Sequence, residues 1–421
     1  MNLLFETESK TVPISKEMVR AAYRKVKSNQ GSAGVDRESL EEFRQDLSGN
    51  LYKIWNRLTS GSYHPQPVKE VEIPKANGGK RKLGIPTVSD RIAQQVIKSY
   101  LEPRLEAVFH EDSYGYRPLK SAHQAIKQVQ ENVRTYSWVV DMDIKSFFDE
   151  VDHELLMKAL DRHVSEKWVK LYIRRWLESP VQTKDGNLLQ KQGKGTPQGG
   201  VISPLLANLY LHYVLDRWLE LHYPTVAFVR YADDVVVHCQ SEEQAQEVLQ
   251  GIRARLQECH LSLNETKTRI VYCKDYRKKE KKGYGNKFDF LGFSFQPRMY
   301  RSVRDSGKVF LGYGCEMSQK VITKVVAEWK QRNWHRQSDL SLQDIATRIN
   351  TQMRGLINYF GKINSIGLHK LIRQLHFQLA KWTMNKYKRF RGRYGKAYTW
   401  LKEIKNSYPT MFYHWTVYNW I

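Results

Sequence analysis

Two clusters of carboxylates stand in apolar surroundings. One is Val139-Val140-Asp141-Met142-Asp143-Ile144, followed by Phe147-Phe148-Asp149. The other is Phe228-Val229-Arg230-Tyr231-Ala232-Asp233-Asp234-Val235-Val236-Val237. Aspartates set between apolar β-type runs are costly to bury without a counter-charge. A divalent cation is one solution, and hard carboxylate oxygens suit Mg2+. Two such ions about 3.5–4 Å apart clamp the attacking and leaving oxygens of a phosphoryl transfer. In this reading Asp143 closes one strand and Asp233 sits at the tip of a neighbouring hairpin, so that carboxylates distant in sequence meet. For Tyr231-Ala232-Asp233-Asp234 alone, an Asp-Asp hairpin turn in any β protein is the plainer alternative. The second cluster about 90 residues upstream, and the basic charge of the chain, argue against it.

The elements that must position these residues follow from periodicity and turn signals. Helices are expected over 16–27, 38–58, 89–109, 121–132, most of 153–177, 201–221, 242–259, 317–329, 342–360 and 367–389. Strands are expected over 68–74 and 80–85, joined at Asn77-Gly78-Gly79, and over 138–144, 268–272 and 288–295. Residues 227–238 read as strand, turn, strand. Asn29 to Asp36 is a glycine-punctuated loop, and 277–287 a basic one. In the last long helix Leu368, Leu371, Ile372, Leu375, Leu379 and Trp382 share one face, while Arg373, Lys381, Lys386, Lys388 and Arg389 make the other face and the end basic. Breaks are expected near Pro297 and Ile366.

The 421 residues carry 68 Lys and Arg against 44 Asp and Glu, a net charge of +24, which calls for a polyanion, nucleic acid first. From Arg301 onward there are 22 basic and 6 acidic residues, so +16 lies in the last 121 residues and +8 in the first 300. Six of the 11 tryptophans share that stretch: Trp329, Trp334, Trp382, Trp400, Trp415 and Trp420. Cations interleaved with aromatics suit phosphate and base contacts; the plainer alternative is a tryptophan core under a solvated basic face. Cys239, Cys259, Cys273 and Cys315 stand singly, which argues against zinc knuckles and a disulfide framework. There is no apolar run of about 18 residues and no secretory signal, so a reduced, cytosolic protein associated with RNA or the nucleoid is expected.

Seven ordered boxes resemble those of bacterial group II intron reverse transcriptases, or intron maturases. They are Ile73-Pro74-Lys75 with Arg81 to Thr87 and Asp90-Arg91; Ser113 to Pro118; Asp141 to Asp149; Gly195 to Asn208; Tyr231 to Asp234; Leu263 to Thr268; and Phe290 to Phe295. The resemblance is strong over 19–295. Arg354-Gly355-Leu356-Ile357-Asn358-Tyr359-Phe360 resembles the family's thumb helix, and the tail from Gly367 its DNA-binding region more loosely. It implies an α+β right-hand polymerase fold: fingers and a palm with an antiparallel sheet, then a helical thumb and a short basic helical tail. The implied domains are an N-terminal extension with fingers over 1–110, the fingers and palm catalytic domain over 111–297, a thumb over 298–366 and a basic nucleic-acid-binding region over 367–421.

The same resemblance implies residue roles. Asp143, Asp233 and Asp234 would bind two Mg2+ ions, with Mn2+ as a substitute and the Ile144 carbonyl as a further ligand. Asp141 would pair with a nearby base or cap its strand. Lys75 and Arg81 would hold the dNTP triphosphate. Phe148 would pack under the incoming sugar and exclude a 2′ hydroxyl, and Gln198 would contact the nucleotide or the templating base. Lys267 would lie near the leaving pyrophosphate as a general acid. Asn29, Gln30, Gly31 and Gly34 would lie over the template, with the glycines admitting RNA closely. Arg117, Arg354, Lys386, Lys388, Arg389 and Arg391 would grip nucleic acid through phosphates. The implied partners are an RNA template, a DNA or RNA primer, dNTPs and group II intron RNA in a ribonucleoprotein, with no membrane. No cysteine pairs with a catalytic histidine follow Leu375, so an HNH-type endonuclease is not expected.

Three functions compete. The first is an intron-encoded reverse transcriptase with maturase activity. The second is the same chemistry recruited to DNA repair, phage defence or spacer acquisition. The third is a splicing factor with a dead polymerase site, against which the retained Asp143, Asp233, Asp234, Phe148 and Gln198 weigh.

Overall fold

The computed structural model describes residues 12–74, 79–273, 275, 283–301 and 308–418. In chain order the elements are α1 (Lys16–Asn29), α2 (Leu40–Gln45), α3 (Leu47–Thr59), β1 (Val68–Pro74), β2 (Lys80–Ile85), α4 (Val88–Glu106), α5 (Ala122–Thr135), β3 (Trp138–Asp143), α6 (Phe147–Glu150), α7 (His153–Asp161) and α8 (Lys167–Glu178). Then follow β4 (Val181–Gln182), β5 (Leu188–Leu189), α9 (Ser203–Leu211), α10 (Arg217–His222), β6 (Ala227–Tyr231), β7 (Asp234–Cys239), α11 (Glu242–Glu258), β8 (Arg269–Tyr272), β9 (Phe288–Phe290), β10 (Phe293–Arg301) and β11 (Val309–Met317). Five helices close the chain: α12 (Gln319–Gln331), α13 (Leu342–Phe360), α14 (Ile366–Lys386), α15 (Tyr394–Ser407) and α16 (Tyr413–Val417).

The chain forms two units, one of residues 1–121 and 140–269, the other of 122–139 and 270–421. In the first unit, a four-stranded sheet runs in the order β2-β1-β4-β5, built on the β1–β2 hairpin. In the same unit the carboxylate hairpin β6–β7 lies beside residues 140–143 of β3, which end at Asp143. These strands read as near-continuous apolar runs, with Val140, Val229, Val235, Val236 and Val237 all buried. The helix expected over 38–58 is two helices. Asp46 leaves helical geometry (φ −118°, ψ 57°) and its carboxylate caps α3 by accepting from Gly49 N. The helix expected over 201–221 is interrupted by a π turn at His212–Asp216 between α9 and α10.

In the second unit, the strand expected over 288–295 is two. Leu291 and Gly292 both take positive φ (49° and 80°), and the chain reverses from β9 into β10. β10 runs on through Pro297, which pairs with Tyr313 of β11, so no break falls at that proline. The apolar face expected on the last long helix is present on α14, with Leu368, Leu371, Ile372, Leu375, Leu379 and Trp382 all buried. Trp329, Trp334, Trp382 and Trp415 are core residues and Trp400 is half-buried; Trp420 lies outside the described residues. The tryptophans of this basic region therefore serve mainly packing.

His376 of α14 and His414 of α16 are buried, with their Nε2 atoms 2.9 Å apart. Burial holds both below the ordinary imidazole range, His376 at about 4. A group that is neutral when folded and binds protons more readily when unfolded withdraws stability as pH falls. The second unit should accordingly lose several degrees of melting temperature between pH 6.5 and 4, through these histidines. The double substitution His376→Leu with His414→Leu should flatten that slope in pH-dependent melting; an unchanged slope would place the acid sensitivity elsewhere.

Candidate active site

The β6–β7 hairpin pairs Tyr231 with Asp234, leaving Ala232 and Asp233 as a two-residue turn. Ala232 adopts φ +58°, a conformation that L residues rarely take. Asp233 is thus at the tip and Asp234 opens β7, one strand over from Asp143 at the end of β3. Asp234 is pushed up to about 7, by burial first and then by Asp233, Asp143 and Asp141. Asp233 is also raised, by burial and then by Asp143, with Arg81 and Lys267 opposing. Asp143 thus opposes the charge of Asp233 and Asp234, and Asp233 that of Asp234, which is what a nearby cation would relieve.

Asp143 is held from the other side. Lys267 Nζ lies 3.0 Å from its Oδ2 and 3.2 Å from its Oδ1, and Asn264 Nδ2 donates to Oδ2 at 3.1 Å. The Asp143 carbonyl accepts from Asn264 N at 2.8 Å, and Ile144 bridges Leu263. Asp141 pairs with Arg269 at 3.0 Å, the first of the two roles open to it. Among the described residues no three carboxylates, histidines or cysteines are close enough to hold one ion together. The donor chemistry nonetheless fits a hard divalent cation: three carboxylates, no soft ligand, and an ammonium already neutralising one of them.

The residues around Phe148 and Gln198 are set by turns. Ser146 takes a left-handed conformation (φ 46°, ψ 38°) and starts the short α6, which carries Phe147 into the core and leaves Phe148 half-buried. The Phe148 carbonyl accepts from Thr196 N at 2.7 Å, tying α6 to the Gly195–Gly200 turn. Gln198 of that turn accepts through its backbone oxygen from Gly84 N of β2 at 2.8 Å. Gly199 has φ +126°, and a Cβ on it would lie 2.5 Å from the Gly84 oxygen. Arg81 is exposed on β2, opposite Ile73, and its charge reaches Asp233. Lys75 lies outside the described residues, as do 277–282 of the basic loop.

The N-terminal loop is tied to α4. Arg91 donates from Nη1 to the Gln30 carbonyl (3.2 Å) and from Nη2 to the Ser32 carbonyl (2.9 Å). A Cβ on Gly31 would meet Arg91 Nη1 at 2.4 Å, and one on Gly34 would meet Thr87 Cα at 2.7 Å. Gly34 is thus required by its packing on the Thr87 backbone, and Gly31 by its positive φ of +116°. Asn29, the last residue of α1, and Gln30 are exposed. Arg117 is turned inward: it pairs with Glu106 and donates to the carbonyls of His110 and Ser113. Lys386 is similarly engaged, donating to the carbonyls of Ser338 and Leu340. Arg354, over the Tyr413 ring, and Lys388, Arg389 and Arg391 remain exposed.

The sequence reading passed over Arg230. It is completely buried and its guanidinium binds Asp216, Asn208 and the Ala232 carbonyl. The signal was present: an aspartate in the apolar stretch 201–221 and an arginine within the apolar strand β6 each need a buried partner.

Carboxylates on adjacent strands of one sheet, beside a glycine-rich turn that packs on a fingers hairpin, define a nucleic-acid polymerase palm. The reverse transcriptase (RNA-dependent DNA polymerase) family matches residues 73–295, and the group II intron maturase-specific domain matches 324–399. This chain belongs to the reverse transcriptase family, with its right-hand fold, and is an RNA-directed DNA polymerase that carries a maturase domain. It is 35% identical to Protein YkfC of Escherichia coli over 279 residues, 58% of this chain and 73% of YkfC. It is 28% identical to the group II intron-encoded protein LtrA of Lactococcus lactis over 422 residues, 81% of this chain and 68% of LtrA. A telomerase from Candida albicans solved with a fragment of telomeric RNA aligns with a TM-score of 0.46 at 14% identity, over 84% of this chain and 66% of that one. Family membership brings dependence on a divalent metal and binding to RNA. Among the described residues no helix is long and apolar enough to cross a membrane.

The Gly199–Gly84 contact predicts that Gly199→Ala lowers stability by roughly 1–3 kcal/mol and raises KM for dNTP, because the turn must retreat from β2. Thermal unfolding and steady-state primer extension check this; wild-type values in both would show that the turn accommodates a side chain.

Proposed function

We propose that the chain extends a primer 3′ hydroxyl with dNTPs on an RNA template, using Mg2+ at Asp143, Asp233 and Asp234, and that its RNA partner includes a group II intron. The observation that carries this is the set of carboxylates from two distant segments, Asp143 on β3 and Asp233 and Asp234 at the β6–β7 turn, with Asp143 opposing the ionisation of the other two. Divalent ions there supply positive charge for the incoming hydroxyl and the departing pyrophosphate. Mn2+ would substitute, since its preferred ligands are also oxygens.

The protein groups divide the remaining work. Arg81, exposed and close enough to act on Asp233, is suited to fork onto phosphate oxygens, with Lys75 as its companion. Phe148, half-buried against the Thr196 turn, would floor the sugar site and exclude a 2′ hydroxyl. Gln198 would touch the nucleotide or templating base from the same turn. Lys267 holds Asp143 before substrate arrives; releasing it toward the pyrophosphate would free the carboxylate and deliver a proton donor. Ile144 would add its carbonyl to the metal site. Exposed Asn29 and Gln30 would meet the template, and Arg354, Lys388, Arg389 and Arg391 would meet phosphates of the duplex or the intron. The match of 324–399 to a maturase-specific domain supports the intron as partner over a role in repair, defence or spacer acquisition.

Asp233→Ala should reduce dNTP incorporation on an RNA template by more than about a hundredfold, the loss of several kcal/mol of transition-state stabilisation. Equal incorporation by mutant and wild type would sink the polymerase site assignment. Phe148→Ala should raise rNTP incorporation relative to dNTP in single-nucleotide extension; unchanged sugar discrimination would remove Phe148 from that role. RNA affinity should fall steeply between 50 and 200 mM salt, measured by filter binding, and a flat response would contradict phosphate contacts by the exposed cations.

A further inference from the structure

The buried charges behind the carboxylate turn have no part in the roles above. Arg230 has no solvent exposure, so it cannot touch a nucleotide. Its Nε donates to Asp216 Oδ1 at 2.7 Å and its Nη2 to Asp216 Oδ2 at 2.5 Å, a two-pronged pair. Its Nη1 donates both to Asn208 Oδ1 at 3.0 Å and to the Ala232 carbonyl at 3.1 Å. Asn208 in turn donates from Nδ2 to the Gly115 carbonyl at 2.7 Å. The Arg230 backbone joins the same assembly, donating to Asp112 O and accepting from Tyr114 N. Gly115 closes on the turn from the other side: a Cβ there would stand 2.4 Å from Ala232 N.

Ala232 is therefore held between a guanidinium on its carbonyl and the Gly115 backbone against its amide. This matters because Ala232 sits at φ +58°, a conformation that persists only when its surroundings impose it. The Ala232 carbonyl belongs to the peptide plane that leads into Asp233. Fixing that plane fixes the direction in which Asp233 and then Asp234 leave the turn. A buried ion pair contributes little net stability compared with apolar side chains of the same size, so stability is a poor reason for this one. The interrupted helix points the same way. The π turn at His212–Asp216 ends on the aspartate that meets Arg230, and such turns recur at functional sites.

We propose that Arg230, held by Asp216 and Asn208, is a positioning residue that sets the Ala232–Asp233 turn so that Asp233 and Asp234 present their carboxylates to the divalent ion. It acts through the Ala232 carbonyl, from an Nη1 that Asn208 also holds in place. Asn208, on the helix that follows the Gly195–Gly200 turn, and Gly115, in the segment 113–118, bring two further segments to bear on the same peptide. The proposal rests on the reading of Asp233 and Asp234 as metal ligands.

The test uses the full chain and Mn2+ alone, with free Mn2+ measured by electron paramagnetic resonance in the absence of nucleic acid. Arg230→Met with Asp216→Leu replaces the pair by apolar side chains of similar size, keeping the core filled while releasing the Ala232 carbonyl. Asn208→Ala leaves the ion pair intact and removes its link to Gly115. Both variants should weaken Mn2+ binding, by about tenfold in the double variant as for other residues that orient metal ligands. Melting temperatures should stay within a few degrees of wild type, and kcat should fall with KM for dNTP little changed. A double variant with wild-type melting and wild-type Mn2+ binding overturns the proposal. Should that variant not fold, Asn208→Ala decides by the same two measurements. Asp233→Ala separates the two readings: wild-type Mn2+ binding there removes the metal site itself. Loss of binding there, with none in the double variant, removes only the role of Arg230.

Discussion

The structure turns on the confinement of like charges. Asp143, Asp233 and Asp234 lie at the ends of neighbouring strands, and burial together with Asp143 opposes the ionisation of Asp233 and, most of all, of Asp234. Such an arrangement is unfavourable in a protein that only needs to fold. It is favourable in one that receives a divalent cation, because the repulsion stored without the ion becomes affinity for it. Much of the surrounding architecture can be understood as bringing these groups together and keeping them from relaxing apart. Pairing in the order β6-β7-β3 fixes the strands, and the core valines fix their packing.

Two different counter-charges serve this end, and their exposure separates their roles. Lys267 is largely exposed and binds the Asp143 carboxylate directly, so it can leave in exchange for a stronger cation. Arg230 is fully buried, binds Asp216 and the backbone, and has nowhere to go. One is a placeholder for charge at the reacting centre; the other is part of the frame. The glycines follow the same logic of distance. Gly115 and Gly199 stand where a methyl group would strike the backbone of Ala232 or Gly84, so the carboxylate turn and the Gly195–Gly200 turn are each set closely against a neighbouring segment.

Much of this was legible in the sequence because its signals are local. Strands 68–74 and 80–85 and the helix 342–360 match their expected limits, since alternation or helical spacing is unbroken there. The carboxylates were found by type and apolar setting. What escaped were properties that depend on partners far away in the chain. The β10–β11 hairpin could not be seen because a proline suggested a break, whereas Pro297 lies within a paired strand. The π turn was invisible because Leu205 to Leu211 are buried all round, so the rotation of face that an inserted residue causes leaves no mark in the apolar pattern. Gly31 and Gly34 are expected from the sequence to admit RNA; what the sequence does not show is that a side chain there would also meet Arg91 and Thr87. Arg117, read as a nucleic-acid contact, is taken up by Glu106 and two carbonyls, because a cation in a tight loop is the nearest donor for oxygens left unpaired.

The account stands or falls on whether a divalent ion enters among these aspartates. Crystals of the full chain soaked in MnCl2 and measured at the manganese absorption edge give the answer without reference to activity. The account predicts an anomalous peak within about 2.0–2.6 Å of carboxylate oxygens of Asp143 and Asp233, with Lys267 displaced from Asp143. Lys267 still bound to Asp143, and no manganese within reach of Asp233 or Asp234, would contradict it.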